Sequence, residues 1–387
     1  MRTLKALFVL AVLGLVWVLR PLVTIRFGTL FVSRLGHLAG NTECYLCERD
    51  AGMRPKRCID IWSPVGEPAN TYLLKMFSRV IWIARWGAVV NAIGSRWSWW
   101  AKHTFNDSQW GRDIHNLMER SPPHLKFTRA EERRGQAELR ALGITKGEKW
   151  VCIIARDPMY LKAKEPAQDY SYHSFRDSDI NNYRAAAVAL MERGYYVIRM
   201  GAFVDGPMKL SAPKFIDYAV SGRRSEFMDI YLGAKCAFCI SNGTGFDGIP
   251  MIFRRPLCYV NEAPFEYLST WAKDSLAIWK HHYRRSVTYL GNFDPPMPKP
   301  MSVAEIVASG AGLFSKAEQF AEAGITLAEN TPEEIRDVAI QMTEGHPDEQ
   351  RAFWDDYPRS VSPHNAIPLH GEIRLRIGAQ FLEKYDE

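Results

Sequence analysis

The chain has 387 residues, 47% of them apolar and 24% charged, with seven cysteines. That length suits two domains of about 150 residues each, and such a composition without repeats or low-complexity tracts excludes solenoid, collagen-like and disordered proteins. The net charge of +6 is uneven: residues 1–150 hold 23 Lys and Arg against 12 Asp and Glu, and the remainder holds 26 against 31.

A basic front half suits an anionic partner such as a membrane surface or a phosphorylated carrier, or else is a solvated face. Nucleic acid is not expected, because the basic residues are scattered and no helix-turn-helix, RNP or finger pattern accompanies them.

Residues 6–19 form an unbroken apolar run between Lys5 and Arg20. Fourteen residues fall short of the roughly 20 that a membrane span needs. No small-x-small cleavage site follows; Pro21-Leu22-Val23-Thr24-Ile25 leads straight into a strand pattern. The run therefore reads as an uncleaved membrane-associating helix, with a signal peptide or a buried helix as alternatives. Residues 34–43 follow the first strand as a polar turn bracketed by Gly36 and Gly40. His37 in that turn is a candidate general base, or a brace for the turn. Cys44 and Cys47 make one CxxC pair with no second pair, so they read as packed thiols rather than a zinc site. Residues 76–103 interleave Trp82, Trp86, Trp97, Trp99 and Trp100 with Arg79, Arg85, Arg96 and Lys102. This is the composition of an interfacial helix, or of a core helix with its Trp turned inward.

Ser121-Pro122-Pro123-His124 reads as the exit from the front domain. A helix over 131–142 closes at Gly143. Apolar strands then alternate with helices: a strand at 150–155, a helix at 179–193, a strand at 195–201, a helix at 226–234, and strands at 236–240 and 257–260. That alternation predicts a parallel sheet with right-handed crossovers. Thr331-Pro332-Glu333-Glu334 is a capping box that starts a helix to 344, and 371–385 reads as a last helix.

Three places could carry chemistry. Arg156, just past the strand at 150–155, and Arg199, at the end of the next, stand where open parallel sheets bind ligands. Each can grip phosphate or be an ordinary ion-pair partner. Ser241, Asn242, Gly243, Thr244 and Gly245 open a glycine-rich turn that suits a diphosphate if a helix begins there, or is only a structural turn. The loop around His173 and Arg176 contains Asp177-x-Asp179. That spacing resembles a metal-binding DxD, but no apolar strand leads into it, and Ser178 or Asp179 as a helix N-cap explains it better.

Blocks at Arg34–Glu43, Tyr172–Tyr183, Arg193–Gly201, Phe227–Leu232, Arg255–Asn261 and Glu329–Ile335 resemble a family of bacterial glycosyltransferases found among surface-glycan genes. The family has the GT-B fold of two Rossmann-like domains. The segment Ile153-Ile154-Ala155-Arg156-Asp157 is similar to the first carboxyl-domain strand of fucosyltransferase-like GT-B enzymes, in which the Arg holds the donor diphosphate. Here Ala155 stands where a His is common. The turn from Ser241 to Gly245 looks like the donor-phosphate turn of the same fold, with Asn242 and Asp247 as departures.

The resemblance implies an α/β protein of GT-B type, with two Rossmann-like parallel-sheet domains facing a cleft and an N-terminal apolar helix. The expected segments are a membrane-associating helix at 1–20, an acceptor-side domain at 21–125, a linker helix at 126–145, a nucleotide-sugar-binding domain at 146–345 and a helical extension at 346–387. The expected activity is transfer of a sugar from a nucleotide-sugar donor to a glycan, lipid-linked or protein acceptor at the cytoplasmic face of the inner membrane. No cofactor or metal is expected. His37 is the first candidate base and Glu43 the second. A nucleotide-sugar epimerase of the same fold and a non-catalytic sugar-nucleotide or glycan-binding protein are the rival readings; the apolar amino terminus speaks against the epimerase.

Overall fold

The computed structural model describes residues 2–105, 111–284, 299–345, 350–355, 357–364 and 366–385. They form two units, one of residues 1–113 and 117–128, the other of 114–116 and 129–387.

The first unit runs α1 (Arg2–Leu19), β1 (Thr24–Phe31), α2 (Leu35–Asp50), β2 (Cys58–Val65), α3 (Thr71–Phe77), β3 (Trp82–Ile83), α4 (Trp86–Gly94) and β4 (Thr104–Phe105). Its four strands are all parallel, in the order β3-β2-β1-β4. Stepping outward from β1 through β2 to β3, with β4 on the other side, is Rossmann-like topology. Val9, Leu13 and Val16 recur at helical spacing on α1 and pack with Ile25, Phe27, Ile61, Ala84, Val90 and Trp100 into one core. Leu4, Leu7, Leu10, Leu15, Trp17 and Val18 of the same helix are exposed. The amino-terminal run is thus a helix buried along one stripe and apolar on the other. Among the described residues, no helix is long and apolar enough to cross a membrane.

The tryptophans of 76–103 divide in the same way. Trp100 is fully buried, stacked on Phe27 at 5.4 Å, whereas Trp82 and Trp97 are exposed. That segment is not one helix; it is β3, α4 and a 3-10 turn, Ser98–His103.

The second unit begins with α5 (Arg129–Ala141), β5 (Trp150–Ile153), α6 (Met159–Lys164), α7 (Arg184–Glu192), β6 (Tyr196–Arg199), β7 (Phe215–Asp217), α8 (Glu226–Lys235), β8 (Cys239–Ser241), α9 (Gly248–Ile252) and β9 (Leu257–Glu262). It continues with β10 (Leu276–Trp279), β11 (His281–Arg284), α10 (Val303–Ala308), α11 (Ala317–Glu322), β12 (Ile325–Ala328), α12 (Pro332–Glu344), α13 (Arg351–Asp355), β13 (Arg376–Ile377) and α14 (Ala379–Leu382). Seven parallel strands lie in the order β13-β10-β9-β8-β5-β6-β7. Two parallel-sheet α/β units are what a GT-B fold requires. β5, β8 and β9 are buried along their whole length, as strands covered on both faces must be.

Two local expectations are corrected. Residues 34–43 are not a turn but the start of α2, which is buried from Leu38 to Glu48. Residues 371–385 are not one helix. Leu375, Ile377 and Phe381 are buried, and Arg376–Ile377 completes the sheet edge beside β10. The capping box at Thr331 forms as read from the sequence, with Glu334 returning the bond. All seven cysteines are free thiols, and all but Cys58 are buried.

Candidate functional site

β5 and β8 are paired neighbours, with Ile153 opposite Ile240. The chain leaving β5 and the chain leaving β8 therefore emerge side by side at the carboxyl end of the sheet, where such folds bind ligands. Asn242, just past β8, ties the two exits together. Its side-chain oxygen accepts from the Arg156 backbone N–H at 2.8 Å, and its amide donates to the Arg176 carbonyl at 2.8 Å. Gly243 follows with φ +73°; a Cβ there would meet the Glu262 carboxylate at 2.9 Å, so both conformation and space demand glycine.

Three cations gather around Asp177. The Arg156 Nε stands 3.3 Å from Asp177 Oδ1, and Lys280, just past β10, donates its Nζ to the Asp177 carbonyl at 2.6 Å. Arg176 donates Nη2 to the Gly243 carbonyl at 2.5 Å, while its Nε is buried with no hydrogen-bond partner. Burial pushes the Asp177 carboxyl above its usual range, against the pull of Arg156 and Lys280. Burial likewise lowers the Lys280 ammonium, opposed by Glu329 and Asp177.

Asp177 and Lys280 also line a cavity of about 430 Å³ with Phe175, Phe320, Leu327 and Glu329. The Phe175 and Phe320 rings lie 5.2 Å apart. The lining thus mixes apolar side chains with a few charged groups, as small-molecule sites do. Glu329 already accepts from Ser178 Oγ, Asn182 Nδ2 and the Asp179 N–H.

The other expected residues divide. His173 lies in the 3-10 turn Ser171–Arg176, with its ring 4.1 Å from that of Tyr172. Asp179 caps the turn Ile180–Tyr183 by accepting from the Asn181 N–H, as the N-cap reading had it. Arg199 is buried and committed: Nη1 donates to Asp217 of the neighbouring strand at 3.1 Å and to the Gly206 carbonyl at 2.6 Å. It is an ion-pair partner within the sheet, which corrects its placement as a donor clamp. The helix after the glycine-rich turn is only Gly248–Ile252, preceded by a 3-10 turn whose Phe246 N–H is taken by Thr244 Oγ1. Ser241 Oγ stands 3.4 Å from Thr244 Oγ1. The turn from Ser241 to Gly245 is therefore a scaffold for the arginines more than a helix-end cradle. Its Asp247 is fully buried at the carboxyl, and burial drives its pKa up to about 7 despite bonds from Ser241 and Thr244.

In the first unit, His37 sits in the first turn of α2. Burial lowers its pKa, partly offset by a hydrogen bond with Asn41, so the ring is a neutral base at pH 7. Glu43, six residues on along α2, is fully buried and held by His124 at 2.9 Å. A carboxylate so placed cannot reach a substrate hydroxyl, which corrects its candidacy as the second base.

Lys280 and Glu329 were not singled out by the sequence as site residues. Lys280 ends an apolar strand as Arg156 and Arg199 do, and that shared position was the available signal.

No protein-family model matches the chain, and neither does any curated protein sequence. Among solved structures, the chain is similar to a family 9 glycosyl transferase from Veillonella parvula, at 12% identity over 66% of this chain and 85% of that one, with a TM-score of 0.42. It is also similar to the E. coli ADP-heptose LPS heptosyltransferase II, at 12% identity over 69% and 92% of the two chains, with a TM-score of 0.38. An E. coli heptosyltransferase with ADP aligns at 9% identity over 66% and 91%, with a TM-score of 0.32.

Proposed function

We propose that the chain is a glycosyltransferase that moves a sugar from a nucleotide-sugar donor to a glycan, lipid-linked or protein acceptor in bacterial surface-glycan synthesis. The reading rests on one observation. Arg156 and Arg176 are fixed by Asn242 at the carboxyl end of the second unit's sheet, next to a cavity whose walls suit a nucleoside.

The chemistry follows from that placement. A nucleoside diphosphate leaving group gains negative charge as the glycosidic bond to the donor breaks. Guanidinium groups already held in position stabilise that charge without reorganising. Arg156 and Arg176 take this role, with Lys280 behind them. The Phe175 and Phe320 rings cover the apolar face of the base or ribose. His37 in its neutral form accepts the proton of the acceptor hydroxyl. The transfer itself runs without a divalent metal, because the cations that neutralise the diphosphate come from the protein. The exposed apolar face of α1 and the exposed Trp82 and Trp97 support association with the inner-membrane surface from its cytoplasmic side.

Calorimetric titration of the purified chain with a panel of nucleoside diphosphates, followed by release of free nucleotide from the matching nucleotide sugars, tests the reading. One diphosphate should bind well above the others and its sugar conjugate should turn over with acceptor. Absence of binding by every diphosphate in the panel would overturn it.

A further inference from the structure

On α2, Glu43, Cys47 and Asp50 stand at positions i, i+4 and i+7, which places them along one stripe of the helix. His124, which follows Pro122 and Pro123 in sequence, reaches that stripe from far along the chain. Its Nδ1 meets Glu43 Oε1 at 2.9 Å, its Nε2 meets Asp50 Oδ2 at 3.0 Å, and its ring hydrogen-bonds the Cys47 thiol. One ligand atom each from Glu43, Cys47 and His124 lie within 4.8 Å of one another. Glu43 and Cys47 are buried, while the Asp50 side chain is half exposed and leaves the cluster open toward solvent.

We propose that Glu43, Cys47 and His124 form a zinc site. A thiolate, an imidazole and a carboxylate are the mixed donor set that Zn²⁺ accepts, whereas Mg²⁺ and Ca²⁺ take oxygen alone. Cys47 Sγ, His124 Nδ1 and one Glu43 oxygen supply three ligands, and water fills the fourth position. Asp50 then accepts the remaining ring N–H of His124, the outer-shell carboxylate that fixes a ligating imidazole. Zn²⁺ takes the sulfur as thiolate and the ring nitrogen without its proton, so binding releases protons to solvent as the ligand atoms draw in to bonds of about 2.0–2.3 Å. The ion would pin α2 to the segment around His124 and rigidify the first unit. Among the described residues this is the one such grouping, and it belongs to the unit that does not carry Arg156 and Arg176.

The test uses the full chain, stripped of metal and loaded with Zn²⁺ or Co²⁺. One equivalent of zinc per chain should survive gel filtration, and cobalt should give a thiolate-to-metal charge-transfer band in the near ultraviolet. Cys47→Ser should abolish the band, while Cys44→Ser, at the other buried thiol of the pair, should keep it. Asp50→Asn should weaken zinc binding by about 10–100-fold without abolishing it. If a variant fails to fold, the wild-type cobalt spectrum still decides. A wild-type chain that takes up neither ion at micromolar concentration overturns the proposal, and so does a cobalt band that persists in Cys47→Ser.

Discussion

The Asn242 side-chain oxygen accepts the Arg156 backbone N–H at 2.8 Å, so the residue after β8 sets where the chain after β5 points its arginine. The same side chain donates to the Arg176 carbonyl at 2.8 Å. Asn242→Ala leaves two backbone groups without these partners, at about 1–3 kcal/mol for each that stays unsatisfied. Chemical denaturation should show that loss, and donor affinity should fall with it because both arginines lose their support. An Asn242→Ala protein with wild-type stability and donor affinity would mean that the bridge organises nothing.

Arg156→Ala should weaken donor binding and turnover by roughly tenfold to a hundredfold, the worth of a charge-assisted contact of about 1.5–3 kcal/mol. Arg156→Lys should restore only part, because an ammonium cannot reproduce the planar fork. Arg176→Ala should lose at least as much, since its Nε is already desolvated and unfilled. Arg199→Ala should behave differently: it breaks the pair with Asp217 and should lower stability before it touches donor affinity. If Arg199→Ala instead spares the melting temperature and abolishes binding, the assignment of the two arginine roles is reversed.

Buried Asp247 should give the proposed donor site its pH dependence. Its folded pKa of about 7 lies above the ordinary aspartate value of 3.8, so the fold binds its proton more tightly than the unfolded chain does. The stability linked to that proton is fully present below about pH 4 and is lost as pH rises through about 7. An ionised Asp247 also repels a diphosphate close to the Gly243 turn. Donor affinity should therefore decline as pH rises through neutrality, and Asp247→Asn should flatten both curves. Titration calorimetry and thermal melts at several pH values check this; an unchanged slope in Asp247→Asn would place the titrating group elsewhere.

Sequence patterns exposed the second unit better than the first, for physical reasons. β5 is a continuous apolar run, β6 and β9 are apolar up to their last one or two residues, helices lie between them, and Thr331 announces α12 by its own capping bond. Helix α2 was hidden because it is buried almost all round, so no polar face contrasts with an apolar one, and its two glycines imitate a turn. Arg156 could be placed from its position after a strand. Lys280 and Arg176 could not be joined to it, because their meeting depends on the register of β8, β9 and β10 and on the loop that carries Arg176. The pairing of His124 with Glu43 spans 81 positions and leaves no local trace.

Membrane association should depend on one face of α1. Leu7, Leu10 and Leu15 are 58%, 60% and 54% exposed, while Val9, Leu13 and Val16 belong to the core of the first unit. Deleting residues 2–19 would therefore open that core as well as remove the apolar face. Replacing Leu7, Leu10 and Leu15 together by Gln separates the two effects. The triple variant should keep its melting temperature yet lose at least tenfold in partition to vesicles of mixed neutral and anionic lipid, since burying one such side chain is worth about 1.5–3 kcal/mol. Flotation of the triple variant at the wild-type level, or failure of the wild type to float at all, would sink the assignment.

His37 is tested by its pH profile more than by its loss. Burial holds its pKa below the ordinary 6.5, with Arg34 adding to the effect and the Asn41 hydrogen bond opposing it. In the proposed role the neutral ring is the base, so turnover should hold at neutral pH and fall on the acid side of the ordinary histidine range. His37→Ala should lower turnover by about 10²–10⁴-fold, the usual contribution of a general base, and should erase that acid limb. Donor affinity should hardly change, because Arg156, Arg176 and Lys280 belong to the other unit. A brace would behave differently. If His37 only supports the start of α2, its replacement should lower the melting temperature and leave the acid limb in place. A stable His37→Ala protein with normal turnover would remove it from both roles. Glu43 could not then take over as base, since it is fully buried against His124.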